Sequence, residues 1–387
     1  MTNNRYFLGA SASISFFFWG LLGVSIGALL PNAMQDFSLS PFMAGMLFVL
    51  WSIGFSAGSF TATVLLRAYG AVLVLAVLSC VTAVLSLLQF ATIYAGHFFA
   101  LYLALGLCGG SIFTASHTLF GDLFAERRSS ALAVLDVVFS IGNMAAPLAI
   151  VALLHRQMQW QTFYLVLAIG FSAVGILFFW QFTQRRFAER SARSATTIEK
   201  TEAGHGAPPF AEVAVLAIAS FSLGTVEWTQ NVWFVTYAIE GGMGPDLARF
   251  CISVFTAGMI VSRLSIILFD EGVQSARAQW AMLFLALSGE ALVVMGKTVP
   301  SMLIGNFLLG SGIGGLFPIF LGRAMDRNPA SSATLSMLMV VSLTLGGQLA
   351  SFTLGALADR FGVTAAFSAT IPMITIMCLT FGIYRRM

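Results

Sequence analysis

Twelve separate stretches of this 387-residue chain run for about twenty residues or more with scarcely a charge in them. They fall at 7–30, 42–66, 70–92, 96–120, 130–154, 161–182, 210–239, 247–269, 278–297, 299–324, 332–357 and 364–384. A helix rises about 1.5 Å per residue, so about twenty apolar residues cross the roughly 30 Å hydrocarbon core of a bilayer. In hydrocarbon every backbone N–H and C=O must be satisfied internally, which leaves the helix as the form for runs of this length. The predicted fold class is therefore an all-α polytopic membrane protein with twelve transmembrane helices. The composition agrees, with 9% charged residues where a soluble domain carries about 25%, and a mean hydropathy of +0.90. A net charge of +3 is too slight to suggest a nucleic-acid partner, so the lipid bilayer is the expected surroundings. The 37 glycines fit close helix–helix approach in a membrane.

The one substantial polar segment, Gln184–Pro209, splits the spans six and six. It holds Arg185, Arg186, Arg190, Arg193 and Lys200 and closes on Pro208 and Pro209. The expected organisation is a first six-helix bundle over 1–183, a cytoplasmic linker over 184–209 and a second bundle over 210–387. With both termini inside, fourteen Lys/Arg residues fall in inner loops and tails, against four (Arg156, Arg249, Lys297 and Arg360) outside. That asymmetry sets both termini in the cytoplasm of a cell whose inner (plasma) membrane holds the chain. The apolar run from Phe7 to Leu30 has no small-residue cleavage site and reads as a retained first span. The halves echo each other: Gly109-Gly110 leads into Glu126-Arg127-Arg128, and Gly314-Gly315 leads into Arg323–Arg327. Repeated halves predict pseudo-symmetric bundles, a site at the midplane and rocking of one half on the other.

Cys80, Cys108, Cys251 and Cys378 lie in apolar runs without paired spacing, so neither a disulfide framework nor a metal site is read. No Walker loop is present, which argues against ATP-driven pumping. The chain is expected to be no enzyme and to need no cofactor.

Acids within spans are costly and mark functional positions. The stretch Phe221–Tyr237, FSLGTVEWTQNVWFVTY, places Glu227 in an apolar helix. Gln230 and Asn231 fall one turn from it, and Trp228 and Trp233 flank that polar stripe. Desolvation favours the neutral form of a carboxyl group, as a proton carrier requires. In span 5, Asp136 is followed by Ser140, Asn143 and Pro147 on one face, and Pro147 frees a backbone carbonyl. An unperturbed histidine titrates near pH 6.5, so a pair of His117 in span 4 with Asp136 or with Glu227 would form a proton relay. Glu290 in span 9 reads as structural. Trp19, Trp51, Trp228 and Trp233 sit mid-span, away from the usual interfacial belts. Tryptophan beside Gln, Asn and Glu suits a sugar, whose C–H faces stack on rings while its hydroxyls take polar partners. Asn306 adds a polar group in span 10. Arg263 and Asp270 at the inner end of span 8, and Arg127 and Arg128 after span 4, are candidate gate charges.

Twelve spans, a basic middle linker and echoed halves resemble the major facilitator superfamily. Within it the chain is most similar to the fucose permease-like (fucose–galactose–glucose:proton symporter) branch. The likeness rests on Gly106–Leu148 in spans 4–5, on Gly224, Glu227, Trp233 and Tyr237 in span 7, and on Arg263 in span 8. It continues through Leu316-Phe317-Pro318 in span 10, Gly346-Gly347 in span 11, and the exit Gly355–Gly362. The resemblance implies a secondary transporter working by alternating access, with proton-coupled uptake of a sugar or related small polar solute by a monomer. It implies that Glu227 is protonated from outside and that the solute binds beside Trp233 and Asn231. There are departures. His117 stands where the branch often has asparagine, and Asp136 where it often has histidine. Span 1 carries no acid, and the loop signature after span 2 survives only as Arg67-Ala68-Tyr69-Gly70, without its aspartate. Two other readings stand beside this one: proton-coupled efflux of drugs or metabolites, against which Tyr102 counts because exporters usually carry arginine there, and a non-transporting sensor on the same fold.

Overall fold

The computed structural model describes residues 2–124, 128–189, 210–268, 275–296, 298–327 and 332–386. Its first six helices are α1 (Thr2–Asp36), α2 (Pro41–Tyr69), α3 (Ala71–Phe90), α4 (Ala95–Leu123), α5 (Arg128–His155) and α6 (Thr162–Glu189). Then come α7 (Phe210–Glu240), α8 (Pro245–Leu268), α9 (Ala276–Met295), α10 (Val299–Ile313) and α11 (Leu316–Arg327). The last three are α12 (Ser332–Phe361), α13 (Val363–Phe367) and α14 (Thr370–Arg386). Among the described residues there is no strand. Among the described residues, twelve segments are long and apolar enough to cross a membrane, and they coincide with the runs read from the sequence to within a few residues at most ends.

Two spans are built from more than one helix. The tenth is interrupted at Gly314–Gly315 between α10 and α11, and the twelfth comprises α13 and α14. The interruption has a local cause. In an unbroken helix the Gly314 carbonyl would accept from residue 318, which is proline and has no N–H. Tight turns elsewhere need glycine: Gly70 (φ 76°) joins α2 to α3, and Gly362 (φ 81°) joins α12 to α13.

Backbone contacts divide the chain into two compact units. One comprises Met1–Ser38 with Leu47–Ile198, the other Leu39–Met46 with Glu199–Met387. The polar linker predicted at 184–209 lies, beyond Glu189, outside the described residues.

Each unit is closed by glycines at helix crossings, and the same crossings recur. In the first, a Cβ on Gly20 of α1 would come 3.1 Å from Cα of Gly142 in α5, and the converse distance is also 3.1 Å. In the second, a Cβ on Gly224 of α7 would come 2.8 Å from the Leu343 carbonyl carbon in α12, and one on Gly346 would come 2.8 Å from that of Phe221. The second and fourth spans cross at Gly58 and Gly110, and there the Ser111 hydroxyl donates to the Gly58 carbonyl at 2.8 Å. The eighth and tenth cross at Gly258 and Gly310, where added Cβ atoms would strike the Phe307 and Phe255 backbones. Small residues let backbones touch where apolar side chains gain nothing over lipid.

Two details of the sequence take a definite place in the fold. Gly54-Phe55-Ser56-Ala57-Gly58 has the spacing of a nucleophile elbow, which needs a strand-to-helix turn. Here it lies inside α2, and its glycines serve the crossing with α4. Arg249, counted above among the outer-loop cations, is buried in the first turns of α8, 3.6 Å from Asp246.

Candidate functional site

The second unit presents a charged pair on α7 and α8. Helical rotation divides the predicted stripe: Glu227, Trp228 and Asn231 are partly exposed, whereas Gln230 and Trp233 are buried. Glu227 Oε1 lies 3.9 Å from Nη2 of Arg263, with the side chains 23% and 22% exposed. The Arg263 Nε–H also donates to the Gly314 carbonyl at 3.3 Å. That is the acceptor Pro318 leaves without a helical donor, so the interruption of the tenth span and the guanidinium position share one carbonyl. Asn231 Nδ2 donates to the Glu227 carbonyl at 2.9 Å, and its buried Oδ1 has no hydrogen-bond partner. Trp228 packs against Gly347 of α12, where a Cβ would collide with its ring.

The first unit holds the other pair. His117 of α4 faces the Phe113 carbonyl through Nδ1 at 3.0 Å and Asp136 Oδ1 of α5 through Nε2 at 3.5 Å. A carbonyl only accepts, so Nδ1 carries a hydrogen. In a neutral ring Nε2 would then turn a lone pair toward the carboxylate. The contact is attractive only with one more proton, on His117 or on Asp136. Phe113 lies against the imidazole with centroids 4.2 Å apart, and Phe16 meets it edge-on at 5.1 Å. Asp136 is the open end of the pair, its side chain 49% exposed against 24% for His117.

The remaining sequence candidates take varied positions. Gln230 Nε2 donates to Asn306 Oδ1 at 2.5 Å, and Asn306 donates to the Met302 carbonyl, so both are buried in the packing of α7 on α10. Trp233 is fully buried, its indole N–H donating to the Ser351 carbonyl at 3.1 Å. Trp19 stacks on Trp51 at 5.6 Å with planes 4° apart and covers Gly109. Asn143 is half-buried beside Gly23, its Oδ1 without a hydrogen-bond partner. Arg67 is exposed in the last turn of α2, where a cation suits the helix dipole. Arg128 begins α5; Arg127 and Asp270 lie outside the described residues.

Sequence reasoning did not single out two contacts. Tyr102 and Tyr164 meet hydroxyl to hydroxyl in the interior of the first unit. Glu290 meets Thr370 in the second. Both partners in each are far apart in sequence, and only the mid-span polarity of each residue hinted at a need for a partner.

The comparisons with known proteins agree with this architecture. A glucose/mannose transporter of Bacillus subtilis (strain 168), GlcP, is 21% identical over 350 residues, covering 88% of this chain and 85% of that one. A crystal structure of the nucleoside transporter NupG, as a point mutant, superposes with a TM-score of 0.74 at 11% identity, covering 99% of both chains. A bacterial homologue of the human lysosomal transporter Spinster, inward-facing and occupied, also gives 0.74, at 10% identity over 99% of this chain and 97% of the other. The family model described as Major Facilitator Superfamily matches residues 8–347. The chain is a multi-pass membrane protein that belongs to the major facilitator superfamily, a family of transporters of small molecules.

Proposed function

We propose that this transporter takes up a sugar or a similar small hydroxylated solute together with protons, by alternating access. The single observation that supports proton coupling is the hydrogen count at His117. Its two ring nitrogens face two acceptors, so the pair with Asp136 is cohesive only while it holds an exchangeable proton. Asp136, the exposed member, is the entry point for that proton.

Glu227, Arg263, Asn231 and Trp228 form the solute-binding face in this reading. A carboxylate, a guanidinium and an amide offer acceptors and donors to hydroxyl groups, and the partly exposed indole offers a face for C–H groups. The similarity to a Bacillus glucose/mannose transporter favours hexoses. Trp233 contributes packing rather than solute contact, because its ring is enclosed and its N–H is engaged. The proposal includes the cell inner membrane, cytoplasmic termini and a monomer.

A second reading follows from the phenylalanines around His117. Phe113 and Phe139 each lie with ring centroids 5.6 Å from that of Phe16, an apolar wall that would suit a greasy solute and export. Thermal stabilisation of the purified protein by glucose, mannose, polyols and lipophilic cations separates the two. A ligand that binds only the folded state raises stability by RT ln(1 + [L]/Kd), so weak sugars register at high concentration. A stereospecific hexose response supports uptake; a response confined to lipophilic cations replaces it with export.

A further inference from the structure

Glu290 stands apart from both charged pairs. It is 1% exposed in α9, its Oε1 against the hydroxyl of Thr370 at the start of α14, and its Oε2 has no hydrogen-bond partner. The Thr370 hydroxyl also lies 2.7 Å from the Phe367 carbonyl. A hydroxyl has one hydrogen, and here it meets two oxygens. The carbonyl can only accept, and one hydrogen does not serve both oxygens. Both contacts are attractive together only if a second hydrogen comes from the carboxyl group.

Among the described residues, the neighbouring elements offer nothing to neutralise an ionised acid. From α7, Tyr237 faces Glu290, but its hydroxyl donates to the Val293 carbonyl at 3.0 Å. Along α10, which packs on α9, Val299–Ile313 contains no titratable or charged residue. On α14, Cys378, Tyr384, Arg385 and Arg386 lie two turns or more beyond Thr370, and Arg277 is at the far end of α9 itself. An unpaired carboxylate out of water costs several kcal/mol and takes up a proton instead. We infer that Glu290 is a proton-holding site in its own right: a neutral carboxylic acid whose O–H donates to Thr370 and ties α9 to α14. Enclosed as it is, this proton stays through the transport cycle, unlike the one at His117–Asp136. The assignment is independent of the uptake proposal.

Infrared difference spectroscopy of the full chain in lipid, wild type minus Glu290→Gln, tests it. The expected result is a carbonyl band of a protonated carboxyl group, absent from the variant and constant from about pH 5 to about pH 8, where an exposed glutamate with pKa of about 4.3 is ionised. Carboxylate bands in that spectrum would overturn the inference. Should Glu290→Gln fail to fold, Thr370→Val keeps the acid and removes its acceptor. The band should then persist and shift toward that of a free carboxyl group; an unmoved band rules out the Thr370 contact.

Discussion

His117 meets Asp136 in the first half, a histidine against a carboxyl group, whereas Glu227 in the second half meets Arg263, a carboxyl group against a guanidinium. In the proposed reading the first pair carries the exchangeable proton and the second orients the solute. Their settings differ in the same sense. His117 is anchored by a helical carbonyl and enclosed by phenylalanines, leaving Asp136 as its open side. Arg263 is anchored by a carbonyl that a proline has stripped of its helical donor. The proposed division of labour places proton exchange in the first half and solute orientation in the second.

The division breaks most visibly at Asp136. A gradient of one pH unit is worth about 1.4 kcal/mol per proton, enough for about tenfold accumulation. Asp136→Asn should reduce accumulation to about onefold while solute exchange without a gradient persists. If accumulation survives, proton exchange lies elsewhere. Next come Glu227→Gln and Arg263→Gln, each expected to weaken hexose binding about tenfold, or about 1.4 kcal/mol, without moving the pH profile of uptake. A shifted pH profile in either variant would merge the two roles that the comparison separates.

Pro318→Ala sharpens the same point at a distance from the solute. It returns an N–H to the Gly314 carbonyl in competition with Arg263, a contest worth about one hydrogen bond, 0.5–1.5 kcal/mol. A few-fold loss of affinity is expected from ligand titration. The smallest effect on binding belongs to Trp233→Phe, which removes the bond to Ser351. Thermal unfolding should show a loss of about 1 kcal/mol, with hexose affinity held within about twofold. A large affinity loss there would return Trp233 to the solute.

The fold was largely legible because hydropathy and backbone satisfaction leave few forms for twelve apolar runs. The site was legible only in part. Periodicity put Glu227, Gln230 and Asn231 on one face, yet the boundary between packed and open surface runs through that face and separates Gln230 from the others. One-residue differences on a helix rotate a side chain by about 100°, and sequence alone does not fix where neighbours begin. Trp228 and Trp233 look alike in the string; only the Ser351 carbonyl of α12 distinguishes them. The pairing of His117 was open between Asp136 and Glu227, because both are membrane acids and neither is near it in sequence.

The most direct test of the central claim is proton movement driven by solute. Full-length protein in proteoliposomes without a pH gradient is given glucose or mannose outside, and the internal pH is followed with a trapped indicator. The account predicts acidification of the lumen with the wild type, none with Asp136→Asn, and a reduced signal restored at higher sugar concentration with Glu227→Gln. Acidification that persists in Asp136→Asn and vanishes irreversibly in Glu227→Gln would contradict it and place the transported proton in the second half.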